Sequence, residues 1–360
     1  MGLSLLALVF AAGAIAFYWW RSHGAAGRVK VQYDLAVVRL EEGKLEEAEQ
    51  AAAKAFSALQ KLGRPSTLTI PLVVLIARIH KRAGKDLSAV PVFGVAVQLL
   101  RKVYGDRSAK VGVALHELGV SLSRVGAPER AIGVLEECIP ILEEHFGKEH
   151  ADVAAALSNL GISQSQAERY ADAERTQRRV IAMREAAYGL GSPAVAQALN
   201  NLSVTYKRQA RIPEALDCLR RSLAIREANL GPDHPDVGLV LNNLGNCLRL
   251  EKKFGDAEIA LTRARTILEN PPHKSYGNVI DSLAQLRAAQ GRYEEADQLY
   301  AQRLKIHKSQ PSSNLIDLAE TCERYADVLY KLQKEKQADA MLELVSKLRG
   351  AREKLLAPAT

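Results

Sequence analysis

Three features of the sequence predict an all-α solenoid of about eight antiparallel helix pairs. The first is an alanine that returns at a nearly fixed period. Ala48, Ala89, Ala131, Ala173, Ala215, Ala257, Ala296 and Ala338 are separated by 41, 42, 42, 42, 42, 39 and 42 residues. A period of this size marks one supersecondary unit copied side by side, each copy burying its apolar face on its neighbours. The second is the pattern of large and small residues in register with that alanine. The third is glycine and proline punctuation at the same spacing. Strand-like alternation is missing.

Each unit opens with a helix, A. Thirteen residues before the alanine stand Leu35, Ile76, Leu118, Leu160, Leu202, Leu244, Leu283 and Tyr325, always large. One residue on come Ala36, Ala77, Gly119, Gly161, Ser203, Gly245, Ala284 and Ala326, always small. Gly43, Gly84, Gly126 and Gly291 then supply the left-handed residue that ends helix A. Helix B follows, with Pro128 and Pro213 in its first turn, where a missing N–H costs nothing. Seven residues past the alanine the chain is mostly small again (Ala55, Ala96, Cys138, Ser222, Ala264), which lets two helix backbones approach. Helix B ends at Gly105, Gly147, Gly189 and Gly231, and Ser192-Pro193 and His234-Pro235 start the next helix A.

This pattern resembles the tetratricopeptide repeat in its 42-residue form, found in kinesin light chains. The residues that carry the likeness are Leu230-Gly231-Pro232-Asp233-His234-Pro235-Asp236-Val237 followed by Leu241-Asn242-Asn243-Leu244-Gly245, with similar wording at Phe146 to Val153 and Asn200 to Tyr206. It covers roughly residues 30–345. It departs at Ile70-Pro71-Leu72-Val73-Val74-Leu75-Ile76 and at Asn270-Pro271-Pro272-His273, where three residues are missing. The resemblance implies a right-handed superhelix with helix A lining a concave groove, and a role in binding other proteins.

The groove position implied by the family falls just before the large apolar residue of helix A. Here it holds Asp34, Leu75, Glu117, Asn159, Asn201, Asn243, Ser282 and Arg324. An Asn amide both donates and accepts, so Asn159, Asn201 and Asn243 would form a ladder for an extended peptide backbone. Further along stand Arg82, Arg124 and Arg208, whose forked donors match a carboxylate. These six residues are the expected partner-binding groove, and the partner segment is expected to be acidic. The competing reading is that they only solvate an inner wall or cap neighbouring loops. Leu72 and Leu75 would mark an apolar docking patch if exposed, and an ordinary core contact if a neighbouring helix covers them.

Residues 1–20 form a separate segment. Gly2 to Trp20 carry no charge, and a helix of that length spans roughly 28 Å, close to the hydrocarbon thickness of a bilayer. Tyr18, Trp19 and Trp20 then meet Arg21, Arg28 and Lys30, the interfacial belt and positive flank of a single-pass anchor whose C-terminal side is cytoplasmic. The expected division is therefore an anchor at 1–20, a basic linker at 21–30, repeats at 31–348 and a charged cap at 349–360. A cleaved signal peptide with Ala14-Ile15-Ala16 at the cut is the alternative, giving an exported soluble protein. The other apolar run, Leu68 to Ile79, contains Pro71 and is too short to span.

Composition and motif searches narrow the chemistry. Net charge is +8, but no basic block is interleaved with aromatics, so nucleic acid is not an expected partner. Phosphate loops, nucleophile elbows and calcium loops are missing, and His116-Glu117 lacks the second His of a zinc helix. His150, His234 and His273 recur at one place in three repeats and are expected to cap helices. Cys138, Cys218, Cys247 and Cys322 have no paired spacing and are expected as buried thiols. Catalytic residues, metal, cofactor and small-molecule substrate are not expected. The reading is a membrane-tethered interaction scaffold.

Overall fold

The computed structural model describes residues 24–62, 66–309 and 315–356. Among the described residues there are sixteen helices and no strand. They run α1 (Gly24–Glu41), α2 (Leu45–Lys61), α3 (Thr69–Arg82), α4 (Asp86–Tyr104), α5 (Ala109–Arg124), α6 (Pro128–Phe146), α7 (Ala151–Gln166) and α8 (Tyr170–Tyr188). Then follow α9 (Pro193–Arg208), α10 (Ile212–Leu230), α11 (Pro235–Leu250), α12 (Phe254–Glu269), α13 (Tyr276–Ala289), α14 (Tyr293–Ser309), α15 (Leu315–Lys331) and α16 (Glu335–Leu356). Odd helices are A and even helices are B. Internal contacts divide the chain into two units, Met1–Ser121 and Leu122–Thr360.

The periodic positions explain the packing. All eight repeating alanines, from Ala48 to Ala338, have no exposed surface. Their small partners on helix A are equally buried, and at Gly245 a Cβ would lie 2.5 Å from Leu261 Cγ. At Gly245 helix B therefore sits on helix A at a separation that only a missing side chain permits. Ala36, Ala77, Ser203, Ala284 and Ala326 show that other repeats leave room for a small one. Large side chains such as Leu135, Leu219 and Leu261 fill the space around each close approach and are fully buried.

In the first unit, α1 packs on α2 and α3, and α3 on α4. Leu72 and Leu75 are buried in a core with Val29, Ala36, Leu59 and Ile79. They are covered, and no apolar patch is left at this place. The helix long and apolar enough by composition to cross a membrane, among the described residues, is α4; it packs against α3, with Phe93 and Ala89 buried beside Ala77. It runs unbroken through Pro91.

In the second unit, consecutive A helices α7, α9, α11, α13 and α15 touch one another and form a wall, and each packs on its own B helix. On the B helices, Arg179 pairs with Glu143 at 2.6 Å, Arg221 with Glu185 at 2.5 Å and Arg263 with Glu227 at 2.6 Å. The identical 36-residue separation makes this a ladder of repeat-to-repeat ties. Each is partly exposed, so each contributes about 1 kcal/mol at most. The helix α6 continues through Pro140 without interruption.

The turns show why the glycines stand where they do. Gly43, Gly84, Gly126 and Gly291 have φ between 71° and 77°. In the remaining repeats the same position is Glu168, Ala210, Lys252 and Gln333, with φ of 61°, 58°, 59° and 59°. The left-handed residue lets the next N–H reach back five residues, as Arg211 N does to Tyr206 O at 2.9 Å and Lys253 N to Leu248 O at 3.0 Å. The geometry is thus imposed by the repeat, whatever the side chain.

Between repeats, Ser192 caps α9 by accepting from Val195 N, and His150 and His234 cap α7 and α11 through Nδ1 at 3.1 Å from Asp152 N and Asp236 N. His273 accepts likewise from Ser275 N at 3.1 Å. Near 270 the helices lose five residues and the linker between them gains two, which gives the net deficit of three. α12 has 16 residues where α10 has 19, and α13 has 14 where α11 has 16.

The anchor at 1–20 and residues 21–23 of the expected linker lie outside the described residues. Gly24 to Lys30 are not linker but the first turns of α1. At the other end α16 continues through the expected cap to Leu356; residues 357–360 lie outside the described residues.

Candidate functional site

The wall of A helices in the second unit carries the predicted groove position, and the Asn ladder there ties helix to helix. Asn201 Nδ2 donates to Ser158 Oγ at 3.1 Å, and Asn243 Nδ2 donates to Asn200 Oδ1 at 2.9 Å. Both pairs are 43 residues apart, linking the ladder position of one repeat to the residue before it in the previous repeat. Asn201 Oδ1 also accepts from Gln197 Nε2 at 3.1 Å. Asn159 turns back on its own helix, donating to Ala155 O at 3.0 Å. The amides therefore fix the register of the wall first, because a half-buried amide needs a partner in the free protein as well as in a complex.

The arginines divide. Arg82, in the first unit, ends α3 and donates to Leu40 O at 2.9 Å, satisfying a carbonyl at the end of α1. Arg124 and Arg208 end α5 and α9 and are exposed. Elsewhere in the ladder, Asp34 pairs with Lys30 at 2.6 Å and Glu117 pairs with Lys81.

Farther along the second unit the wall opens into a trough of about 440 Å³. Asn243, Ser282 and Arg324 of the ladder line it, as does Leu250. So do three immediate neighbours in sequence, Asn242, Asp281 and Arg249, together with Lys207 from α9 and Arg303 from α14. The period located the right helices, but the lining is two residues wide at each step, and sequence reasoning had marked only one of each pair. An A-helix residue in the same register as Arg208 could have been searched one place earlier, where Lys207 and Arg249 stand.

The electrostatics of the trough are uneven. Asp281, buried, accepts from Gln285 Nε2 at 2.6 Å and Thr321 Oγ1 at 3.1 Å, and takes both oxygens of its carboxylate to Arg324 Nη2 at 3.1 and 3.2 Å. Burial works against the Arg324 charge, yet Asp281 outweighs it, and the Arg324 pKa lies above its usual value. Lys207, Arg249 and Arg303 form no ion pair within 4 Å among the described residues. Burial lowers the pKa of both Lys207 and Arg249. Arg249 Nη2 donates to Gln285 Oε1 at 2.9 Å, while its Nε is buried without a partner. Arg303 is 6% exposed and its Nε also lacks an acceptor. Asp317 and Glu320 also line the trough, Glu320 pairing with Arg324 at 3.4 Å, but neither pairs with these three cations. Buried cations lacking a direct partner favour an incoming anion, because it would recover solvation already given up.

Catalytic chemistry has no matching arrangement here. Among the described residues no group of three or more His, Cys, Asp or Glu side chains could hold a metal. No disulfide joins the four cysteines; Cys138, Cys247 and Cys322 are buried and Cys218 is half-buried. Burial pushes the Cys218 and Cys322 thiols up to about 11, which keeps them protonated and unreactive.

Models of the tetratricopeptide repeat match residues 111–152, 152–228, 194–270 and 279–313, together more than half of the chain. No curated protein sequence matches significantly. Among solved structures, the chain is similar to the Rap conjugation gene regulator of plasmid pLS20 in complex with the Phr* peptide. The TM-score is 0.60 at 11% identity, covering 93% of this chain and 98% of that one. A Rap protein complexed with competence and sporulation factor gives 0.57 at 12% identity, covering 91% and 99%. A kinesin light chain repeat protein of Podosopora anserina gives 0.49 at 19%, covering 57% and 99%. The two Rap likenesses speak to fold; the sequence models speak to family. The chain belongs to the tetratricopeptide repeat family.

Proposed function

We propose that this repeat scaffold binds an extended, acidic segment of a partner protein in the trough of the second unit. The observation that carries this reading is the set of three buried or half-buried cations, Lys207, Arg249 and Arg303, which face one cavity without a carboxylate in pairing distance. Asn243 and Asn246 stand beside them. Asn246 Nδ2 is held by Ser282 Oγ at 2.8 Å while its Oδ1 is buried without a donor, an acceptor suited to a peptide N–H. Similar folds have been solved with a peptide and with a competence and sporulation factor, consistent with this use of the surface. The six residues first expected, Asn159, Asn201, Asn243, Arg82, Arg124 and Arg208, are distributed more widely than the trough, and Asn243 is the member we place within it.

We further propose that residues 1–20 tether the scaffold to a membrane with the repeats on the cytoplasmic side. The support is the uncharged stretch, its aromatic end and the basic residues after it. Tethering raises the effective concentration of the trough for partners on that membrane.

The experiment is affinity capture with the full chain and with the double variant Lys207→Gln, Arg249→Gln. Capture should fall at least about tenfold, the effect of losing one to two charge-assisted contacts, with unchanged helicity by circular dichroism. Undiminished capture would reject the trough. Fractionation of the same cells tests the tether, which requires the uncleaved chain in the membrane pellet.

A further inference from the structure

The second repeat, α3 and α4, departs from the charged pattern of the other B helices. Six residues past the repeating alanine, Arg179, Arg221 and Arg263 supply the cation that ties one repeat to the next; six residues past Ala89 stands Val95. The acid of that tie falls twelve residues past the alanine, at Glu143, Glu185 and Glu227, and there the second repeat has Arg101. Val95 is 49% exposed. Pro91, Val95, Leu99 and Val103 follow one another at four-residue steps, so they form one apolar stripe along the side of α4. Pro91 is exposed, Leu99 half-buried and Val103 60% exposed. Tyr104, also exposed, closes the stripe at the end of the helix.

The opposite side of α4 is already used: Ala89, Phe93, Ala96, Val97 and Leu100 are buried. The helix can therefore lie on an apolar phase but cannot cross one without giving up its core. Its flanks are basic. Lys102 is exposed beside the stripe, and Lys110 Nζ stands 3.8 Å from the centre of the Tyr104 ring. The start of α4 is tied to the first turns of α2 by Lys85 and Glu49 at 2.7 Å, and α2 exposes Lys54 and Lys61 farther along. Among the acids, Glu46, Glu47 and Glu49 stand at the start of α2, and Asp106 lies 3.8 Å from Arg101. Positive charge thus collects along the later part of this surface.

We infer that the outer face of α4 rests on the surface of a bilayer carrying anionic lipid headgroups. The apolar stripe enters the boundary between headgroups and acyl chains, and Lys102, Lys110, Lys54 and Lys61 reach the phosphates and carboxylates around it. Charge complementarity selects this occupant: lysine stems lie along apolar surface while their ammonium heads stay with the headgroups, and each cation near an anionic leaflet adds attraction. A stripe of small aliphatic side chains ending in one tyrosine is the apolar half of an interfacial helix. It is too narrow for a stable dimer, whose interface buries about 1,200–2,000 Å². The surface is separate from the trough, and it stands on residues other than the uncharged stretch proposed as a tether. Docking would hold the first unit flat against the bilayer and fix the height of the scaffold above it.

The test places an environment-sensitive fluorophore on Val95→Cys in the full chain, with Cys218→Ser to keep labelling specific. The chain is reconstituted in nanodiscs of phosphatidylcholine alone or with phosphatidylserine, and Ile259→Cys, on the exposed side of α12, carries the control label. With phosphatidylserine, the label at residue 95 should shift to the blue and be quenched by brominated acyl chains, while the label at residue 259 stays in water. Lys102→Gln with Lys110→Gln should lower the docked-to-undocked ratio at least about tenfold, with the thermal midpoint unchanged. An aqueous signal at residue 95 in the anionic discs would overturn the proposal. So would a shift that ignores lipid charge and both lysines, or one that follows protein concentration, as pairing with a second copy requires. A chain that fails to stay with the discs argues against the tether alone; added to phosphatidylserine vesicles, it should still show the shift at residue 95, and its absence there would overturn the docking face as well.

Discussion

Gly245→Ala tests the close approach of α11 and α12. A Cβ at this position would meet Leu261 Cγ at 2.5 Å, Leu261 Cδ2 at 2.8 Å and Ala257 O at 3.3 Å. Leu261 is fully buried, and Ala257 is the repeating alanine itself, also without exposed surface. The methyl therefore has no flexible side-chain end to push aside. Two terms of opposite sign compete. Replacing Gly in a helix interior gains about 1 kcal/mol of helix propensity, while overpacking a closed core costs about 1–3 kcal/mol or more. With a rigid neighbour at 2.5 Å the second term wins, and a net loss of about 1–2 kcal/mol is expected. Urea unfolding followed by circular dichroism measures it. Gly133→Ala is the internal control, since Gly133 lies in α6 with no atom within 4 Å of an added Cβ, so it should gain up to about 1 kcal/mol. Leu261→Ala supplies the other arm: alone it costs about 2–5 kcal/mol, but in its presence Gly245→Ala should turn stabilising. Should Gly245→Ala match or exceed the natural chain in stability, the reasoning about helix separation is refuted.

Two further outcomes follow from the turns and caps. Ala210 holds a φ of 58° in a turn where Gly291 serves in another repeat; Gly291→Ala should lose roughly 1–2 kcal/mol while Ala210→Gly loses nothing and gains up to about 1 kcal/mol, read as shifts in thermal midpoint. His273 accepts a backbone hydrogen bond through Nδ1, and burial, aided by Lys274, lowers its pKa below the ordinary 6.5. A depressed histidine pKa favours the neutral folded form, so its contribution is complete above pH 6.5 and is lost as pH falls through the folded value. Thermal midpoints between pH 7.5 and 5 should show a decline that His273→Asn, which caps without titrating, makes shallower; identical slopes would contradict the assignment.

The repeat, its helix pairs and its turns could be read from the sequence, because close packing leaves a mark at each position. A methyl or a hydrogen must stand where two backbones meet, so Ala215 and Gly245 announce their burial. Gly231 and Pro235 announce the ends of helices through backbone geometry alone. His150 and His234 were legible as caps for the same local reason. Even so, Glu168 and Lys252 adopt the left-handed turn without the usual glycine, since the register of neighbouring helices overrides a residue's own preference.

The site was legible only in outline. Periodicity located the wall of A helices and brought Asn243, Leu250, Ser282 and Arg324 to the trough. Which polar groups remain open there depended on partners from other repeats. Asn201 is tied to Ser158 and Arg82 to Leu40, whereas Arg249 and Arg303 share the trough with Asp281, Asp317 and Glu320 without forming an ion pair to any of them. A sequence lists side chains one at a time, and repetition fixes which of them share a face. Whether a given amide or guanidinium is already satisfied is a property of residues 36 or 43 places away, and only the folded stack decides it.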